Sequence, residues 1–316
     1  MRFRCGALLC TILVSAAALF ASPPAEQCSG GASKKLEFWI GDWDVYSGAD
    51  KVGQNSIARA SDGCLVVERW TGTDGDSGVS FNYVDGSGML RQTYVGPAWS
   101  IDYQGETDAA GVLLHSEVTS KGEPIKIRLS LQPQADGSVR QHKQASKTGD
   151  LWKTVYDFRY VRAAKSPLPG KPEAALRPCA GEAFHRLDFW TGNWDVFSPT
   201  GLAGYNHIER ASGGCSLIEN WKGREGDDGK SLNSYDVQRR EWRQIWVSRN
   251  IILDLHGVWR DGALQFTGVS KKQDGTEVLH ELTFTPSGGV RQVWRTSKDR
   301  GSSWAVVFDG RYRPAV

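Results

Sequence analysis

The chain has 316 residues, which at roughly 150 residues per domain suggests two domains, and its 40% hydrophobic and 23% charged residues are ordinary for a globular protein. The formal net charge of +2, without a lysine or arginine run, argues against nucleic-acid and membrane-surface partners. No stretch after residue 21 is apolar and long enough to span a bilayer, so no membrane insertion is expected.

Residues 1–21 have the features of a secretory signal peptide. Two arginines precede an apolar run that ends at Phe20, and Ala21 follows before Ser-Pro-Pro. The sequence therefore predicts a secreted or periplasmic protein, with a retained N-terminal anchor as the alternative. Residues 22–35 are rich in Ser, Pro, Gly and Lys, and we expect this segment to be flexible and loosely held.

The rest of the chain is a duplication. The stretch Leu-Glu-Phe-Trp-Ile-Gly-Asp-Trp-Asp-Val begins at residue 36, and Leu-Asp-Phe-Trp-Thr-Gly-Asn-Trp-Asp-Val begins at residue 187. Many further positions match at the same offset. We expect a first domain over 36–162, a Pro-rich linker over 163–183 and a second domain over 184–316.

Four cysteines follow the same duplication: Cys28, Cys64, Cys179 and Cys215. The two members of each pair are equally far apart, and an oxidising compartment favours disulfides. The repeat predicts Cys28–Cys64 and Cys179–Cys215, with four free thiols as the alternative. A metal site is not expected, since the sequence has no Cys-x-x-Cys or Cys/His cluster.

Each copy alternates apolar and polar residues with a period of two, which indicates β-strands. In the second copy we expect strands near 193–198, 205–212, 216–222, 230–237, 241–248, 251–258, 263–270, 276–286, 289–296 and 303–313. The fold class is therefore all-β, with two tandem antiparallel up-and-down β-barrels of about ten strands each. A single helical turn near 36–39, and near 184–190, would cap one end of each barrel.

The tripeptides Gly-Asp-Trp at 41–43 and Gly-Asn-Trp at 192–194 resemble the Gly-x-Trp signature of lipocalin-like (calycin) barrels. In that superfamily an arginine of the last strand packs across the tryptophan of the first strand. The resemblance therefore implies two structural pairs, Arg159 over Trp43 and Arg311 over Trp194.

Each copy is also similar to a bacterial family of lipocalin-like domains of unknown function. The shared motifs are Asp-Phe-Trp-x-Gly-x-Trp-x-Val, Gly-Cys-x-x-x-Glu-x-Trp, Val-Arg-Gln and Phe-Asp-Gly-x-Tyr. The resemblance covers both repeats and carries no established activity. The second copy keeps the pattern better, because the first has Tyr94, Lys143 and Phe158 where the second has Trp246, Trp294 and Gly310.

Alternation predicts which side chains of the second copy face the barrel interior. The expected ligand-binding set is Glu219, Trp221, Asn233, Tyr235, Trp242, Gln244, Trp246, Gln292 and Trp294. Buried amides and carboxylates must be hydrogen-bonded. Two interpretations stay open: a polar network that specifies the barrel, or a pocket for a small amphipathic ligand.

Binding of a small amphipathic ligand in the second barrel is the function we expect. The alternatives are a structural or interaction protein with side-chain-filled barrels, or an enzyme that uses Glu219 as a general acid or base. No catalytic motif is present, and no catalytic residue, metal or cofactor is predicted. His280 and His142 lie where haem-binding barrels of related shape carry a ligand, but neither has a His at the matched position.

Overall fold

The computed structural model describes residues 31–97, 99–163, 179–272, 274–286 and 288–315. The predicted signal peptide, Cys28 and most of the predicted linker lie outside these residues. The described part forms two tandem closed barrels of ten antiparallel strands each, so the predicted fold class is confirmed.

The first barrel is preceded by helix α1 (Gly31–Lys35) and a 3-10 turn (Glu37–Trp39). Its strands are β1 (Gly41–Ser47), β2 (Asp50–Ala60), β3 (Leu65–Gly72), β4 (Ser77–Val84), β5 (Leu90–Gly96), β6 (Trp99–Asp108), β7 (Gly111–Ser120), β8 (Glu123–Pro133), β9 (Val139–Ser146) and β10 (Lys153–Arg162). Ala32 and Ser33 of α1 are buried, so this part of the 22–35 segment is packed, although the whole segment was expected to be loosely held.

The second barrel is preceded by two 3-10 turns (Glu182–His185 and Asp188–Trp190). Its strands are β11 (Gly192–Ser198), β12 (Gly201–Ala211), β13 (Ser216–Gly223), β14 (Asp228–Asp236), β15 (Glu241–Ser248), β16 (Ile252–Arg260), β17 (Ala263–Lys271), β18 (Glu277–Pro286), β19 (Val290–Ser297) and β20 (Ala305–Pro314). Strand β12 begins earlier than predicted because a two-residue turn brings Gly201, with φ of 123°, directly opposite Ser198.

The 3-10 turn before each first strand closes one end of its barrel, as the sequence predicted. Trp39 and Trp190 are fully buried. Their carbonyl oxygens accept hydrogen bonds from the indole Nε1 of Trp43, at 2.7 Å, and of Trp194, at 2.8 Å. The Gly-x-Trp tryptophan thus fastens the turn to the barrel wall.

The arginine that covers Trp43 is not the predicted one. The guanidinium of Arg162 lies 3.9 Å from the centre of the Trp43 ring, whereas Arg159 points outward and pairs with Asp136 at 2.7 Å. In the second barrel Arg311 stands opposite Phe197, and Pro314 occupies the register position opposite Trp194. The strand register therefore does not place Arg311 beside Trp194, as the resemblance had implied.

The two barrels pack against each other through the outer faces of β3–β5 and β13–β15. An apolar cluster fills this contact and comprises Cys64, Leu65, Val67, Val79, Phe81, Tyr83 and Val95 with Ile218, Leu232, Ile245 and Val247. Ser61 Oγ donates to Val247 O at 2.9 Å, and Ser212 Oγ donates to Val95 O at 2.6 Å. These two bonds join matched positions of the repeat, so the contact is nearly two-fold symmetric.

The disulfide of the second copy is present as predicted, between Cys179 and Cys215. Cys64 is buried, and its expected partner Cys28 lies outside the described residues. The disulfide is compatible with a periplasmic or extracellular protein. Within the described segments, no helix has the length and apolar character needed to cross a bilayer.

Candidate functional site

A buried carboxylate, that of Glu219 on β13, is the centre of the second barrel's polar interior. Its Oε1 accepts a hydrogen bond from Asn206 Nδ2 at 2.7 Å, and its Oε2 accepts one from Ser231 Oγ at 2.6 Å. All three side chains are buried. Each carboxylate oxygen is therefore held by one neutral donor, and no basic side chain of the described residues is paired with it.

The network continues in two directions across the barrel wall. On one side Asn233 Nδ2 donates to Ser231 Oγ at 2.8 Å, and Gln244 Nε2 donates to Asn233 Oδ1 at 2.8 Å. On the other side Asn206 Nδ2 lies 3.2 Å from the Tyr312 hydroxyl, which in turn donates to Gln292 Oε1. The chain of bonds spans strands β12 to β15 and the closing pair β19 and β20.

The first barrel repeats this network residue for residue. Glu68 accepts from Asn55 and Ser80 at 2.7 and 2.6 Å. Gln92 donates to Asn82 at 2.8 Å, and the Tyr160 hydroxyl donates to Gln141 Oε1 at 3.0 Å. Because both copies hold the same arrangement, the network belongs to the barrel architecture itself.

Burial controls the protonation of both central carboxyls. Desolvation raises the pKa of Glu219 to about 7, against the lowering effect of the bonds from Ser231 and Asn206. The pKa of Glu68 is raised by the same cause. Near neutral pH, Glu219 is therefore poised between its charged and neutral forms, in the range used by general acids and bases.

Above the network, the second barrel contains a partly open cavity of about 1220 Å³. Its inner wall is formed by aromatic, aliphatic and polar side chains: Glu219, Trp221, Gln244, Trp246, Leu253, Leu255, Leu282, Gln292, Trp294 and Phe308. Its rim is formed by the β11–β12, β13–β14 and β15–β16 connections, together with Asp62 from the first barrel. A cavity of this size, with mixed walls, is typical of small-molecule sites.

The matched region of the first barrel is occupied by its own side chains. Phe158, which replaces Gly310, stacks on Tyr156 with ring centres 4.3 Å apart and on Trp70 at 6.3 Å. Tyr103 stands at the position of Leu255 and is buried. In the second barrel the smaller Leu255 lines the cavity, and the Phe308 ring lies directly against Gly310, where a Cβ would come within 2.5 Å of it.

Six of the nine predicted site residues line the cavity: Glu219, Trp221, Gln244, Trp246, Gln292 and Trp294. Asn233 is buried within the network. Trp242 and Tyr235 lie elsewhere, at the closed end, where the Trp242 indole donates to Ala183 O at 3.1 Å and Tyr235 packs on Phe184. These two share the predicted face but pack against the segment that precedes the barrel.

Two members of the network were missed from the sequence: Asn206 and Tyr312, with their counterparts Asn55 and Tyr160. The available signal was that each is identical in both copies at the offset of the repeat. Asn206 Oδ1 and Asn55 Oδ1 are buried acceptors without a hydrogen-bond partner among the described residues.

His280 lies beside the cavity wall, and hydrogen bonds engage both of its ring nitrogens. Trp294 Nε1 donates to His280 Nδ1 at 3.1 Å, so the proton resides on Nε2, 2.7 Å from Ser270 Oγ. Burial lowers the pKa of His280, which favours this neutral form. Across the described ranges, His, Cys, Asp and Glu side chains form no group of three or more suited to a metal ion.

No known protein-family model matches the sequence, and no curated protein shows significant similarity to it.

Proposed function

We propose that this protein is exported and binds a small amphipathic molecule inside its second barrel. The observation that carries the proposal is the open cavity, with indole walls and a polar floor of Glu219, Gln244 and Gln292. The Gly-x-Trp start and the ten-strand closed topology support a relation to lipocalin-like barrels, and the predicted signal peptide supports export.

The aromatic walls would supply the apolar contact area for such a ligand. Trp221, Trp246 and Trp294 all line the cavity and are only partly buried, so each has a ring surface left to cover. Covering apolar surface is worth roughly 25 cal/mol per Å². The side-chain amides would then orient the ligand's polar group.

The proposal is tested by filling the cavity with the residues that fill the first barrel. The double variant Leu255→Tyr/Gly310→Phe places Tyr and Phe where the first barrel has Tyr103 and Phe158. The Phe308 ring, which lies against Gly310, must turn aside to stack on the new ring, as Tyr156 stacks on Phe158. We expect binding of N-phenyl-1-naphthylamine, a neutral apolar fluorophore, to weaken by about tenfold or more, equivalent to about 1.4 kcal/mol.

The matched control is Val306→Tyr, which adds an aromatic ring at a position that is 62% exposed on β20. Circular dichroism would establish that both variants keep the β-sheet signal. Failure of the wild-type protein to bind the fluorophore, or equal binding by the filled variant, would contradict the proposal.

A structural role is the second candidate function for the first barrel. Its interior is occupied by Tyr103, Tyr156 and Phe158, and its outer face is committed to the second barrel. This barrel would act as a support that supplies Asp62 to the rim of its neighbour's cavity. If so, substitutions of the side chains that fill the first barrel should not alter ligand binding in the second barrel.

A further inference from the structure

The charge of the cavity in the second barrel is strongly one-sided. Five carboxylates line it, those of Asp62, Glu219, Glu225, Asp227 and Asp228, against two guanidinium groups, those of Arg224 and Arg249. Desolvation raises the pKa of Asp228, and the nearby carboxylate of Asp62 raises it further, against the lowering effects of a hydrogen bond from the Ser61 backbone and of the Lys230 charge. The rim therefore holds negative potential that a bound cation would relieve.

Hydrogen-bond acceptors without partners add to this charge. Asp228 Oδ1 is buried at the cavity rim and has no hydrogen-bond partner within the described segments. Asn206 Oδ1, beside Glu219, also lacks a partner there, but Asn206 does not line the cavity and Asn55 Oδ1 of the filled first barrel is equally unsatisfied. Because a buried acceptor without a donor is costly, the rim at Asp228 favours a molecule that donates N–H or O–H bonds.

The first barrel shows how this scaffold accommodates an ammonium group. Lys143 occupies the position of Trp294, and its Nζ lies 5.7 Å from the Trp99 ring centre and 5.9 Å from those of Tyr103 and Tyr156. Burial lowers the pKa of Lys143, and the cation–π attraction of three aromatic rings within about 6 Å offsets part of that cost. The second barrel has Trp294 in place of this lysine and keeps Trp221, Trp246 and Phe308 around the cavity.

We propose that the ligand of the second barrel is an organic cation, a primary or secondary ammonium group on an apolar body. The ammonium would lie near Glu219 or the Asp62 and Asp228 carboxylates, with N–H groups to satisfy their oxygens. The indoles would cover the apolar body and contribute cation–π attraction. This inference rests on the proposed function, because it specifies the ligand class of the same cavity.

The test compares three amphiphiles with the same ten-carbon chain and different head groups: n-decylamine, decan-1-ol and decanoate. Isothermal titration calorimetry on the full chain would measure each affinity below the micelle-forming concentration. We expect the amine to bind about tenfold or more tightly than the alcohol, and the carboxylate to bind most weakly.

Two variants test which carboxylates produce the preference for the amine. Glu219→Gln removes the carboxylate charge and keeps the side-chain size and one acceptor oxygen. Asp228→Asn removes the charge at the cavity rim, where the side chain is less buried and the substitution disturbs folding less. Each is expected to weaken amine binding about fivefold to tenfold, and so to lower the ratio of amine affinity to alcohol affinity. Glu68→Gln is the matched control, since it removes the equivalent carboxylate of the filled first barrel.

The outcomes separate the two proposals. Equal or tighter binding of the alcohol or the carboxylate would overturn the cationic ligand class and leave a small-molecule cavity standing. Unchanged amine binding in both Glu219→Gln and Asp228→Asn would also overturn the ligand class. Failure of all three amphiphiles to bind would count against the proposed binding function itself.

Discussion

At the scale of single residues, the buried Glu219 links stability to pH. Its carboxyl is desolvated, and its two hydrogen bonds come from neutral donors. The pKa is therefore about 7 in the folded protein, against 4.5 for the ordinary group. A raised folded-state pKa means that the protonated form stabilises the fold. This contribution is complete below about pH 4.5 and is lost as pH rises to about 7.

We therefore expect Glu219→Gln, whose amide does not titrate, to gain stability relative to the wild type as pH rises from 5 to 8. The gain should be on the order of 2–3 kcal/mol, because one pKa unit corresponds to about 1.4 kcal/mol. Urea unfolding of both proteins at several pH values measures it. A constant difference across this range would show that Glu219 has an ordinary pKa.

Arg162 gives a second prediction at this scale. Its guanidinium covers Trp43, and its Nη1 donates to Ile40 O at 2.6 Å, so Arg162→Met removes a cation–π contact and a hydrogen bond. We expect a loss of about 1–2 kcal/mol in unfolding free energy. Arg159→Met is the control and should cost less than about 0.5 kcal/mol, since its ion pair with Asp136 is exposed. Equal losses would contradict the assignment of the covering arginine.

The contrast between Arg159 and Arg162 shows what the sequence can establish about individual residues. Alternation assigns Glu219, Gln244 and Trp246 to one face because neighbouring residues of a strand point to opposite sides. It does not supply the register in which the last strand meets the first. That register pairs Trp43 with Arg162 and is set by barrel closure and a bulge in β10, which are long-range features.

At the scale of elements, the strands were predictable because their turns are short and rich in glycine. Nine of the ten predicted strands in the second copy lie within about two residues of those observed at both ends, whereas β12 begins at Gly201.

The sequence of strands β13 to β15 also contains a signal for the contact between the barrels, which the prediction did not use. Ile218, Leu232 and Ile245 are apolar on the outward face, which a solvent-exposed barrel wall would not need.

The Cys179–Cys215 disulfide joins two elements, the segment before β11 and the start of β13. Cys215 directly follows the 3-10 turn Ser212–Gly214, whose Ser212 docks on the first barrel. The bond closes a loop of 36 residues, for which the chain-entropy model gives about 3–4 kcal/mol. We expect Cys179→Ser/Cys215→Ser to lower the unfolding free energy by about that amount. An unchanged urea midpoint would mean that the bond does not stabilise the second barrel.

At the scale of the whole molecule, the repeat predicts two barrels but not their arrangement. Each barrel presents its 3-10 turn between the second and third strands to its neighbour, with Ser61 and Ser212 in reciprocal roles. Two charged pairs flank the apolar contact, Arg69 with Glu209 and Arg243 with Asp102, and neither has a reciprocal ion pair among the described residues. The contact depends on surface complementarity between distant residues, which local sequence patterns do not encode.

This arrangement predicts that the two barrels unfold together. Leu232 is 2% exposed and packs in the cluster between the barrels, so Leu232→Glu would place a charge in an apolar contact without a partner. We expect the single urea transition of the wild type to separate into two, with the midpoint of the less stable barrel reduced. The control Val306→Glu adds the same charge at an exposed position of β20 and should leave a single transition. A single, unshifted transition for Leu232→Glu would show that the contact between the barrels contributes little to their stability.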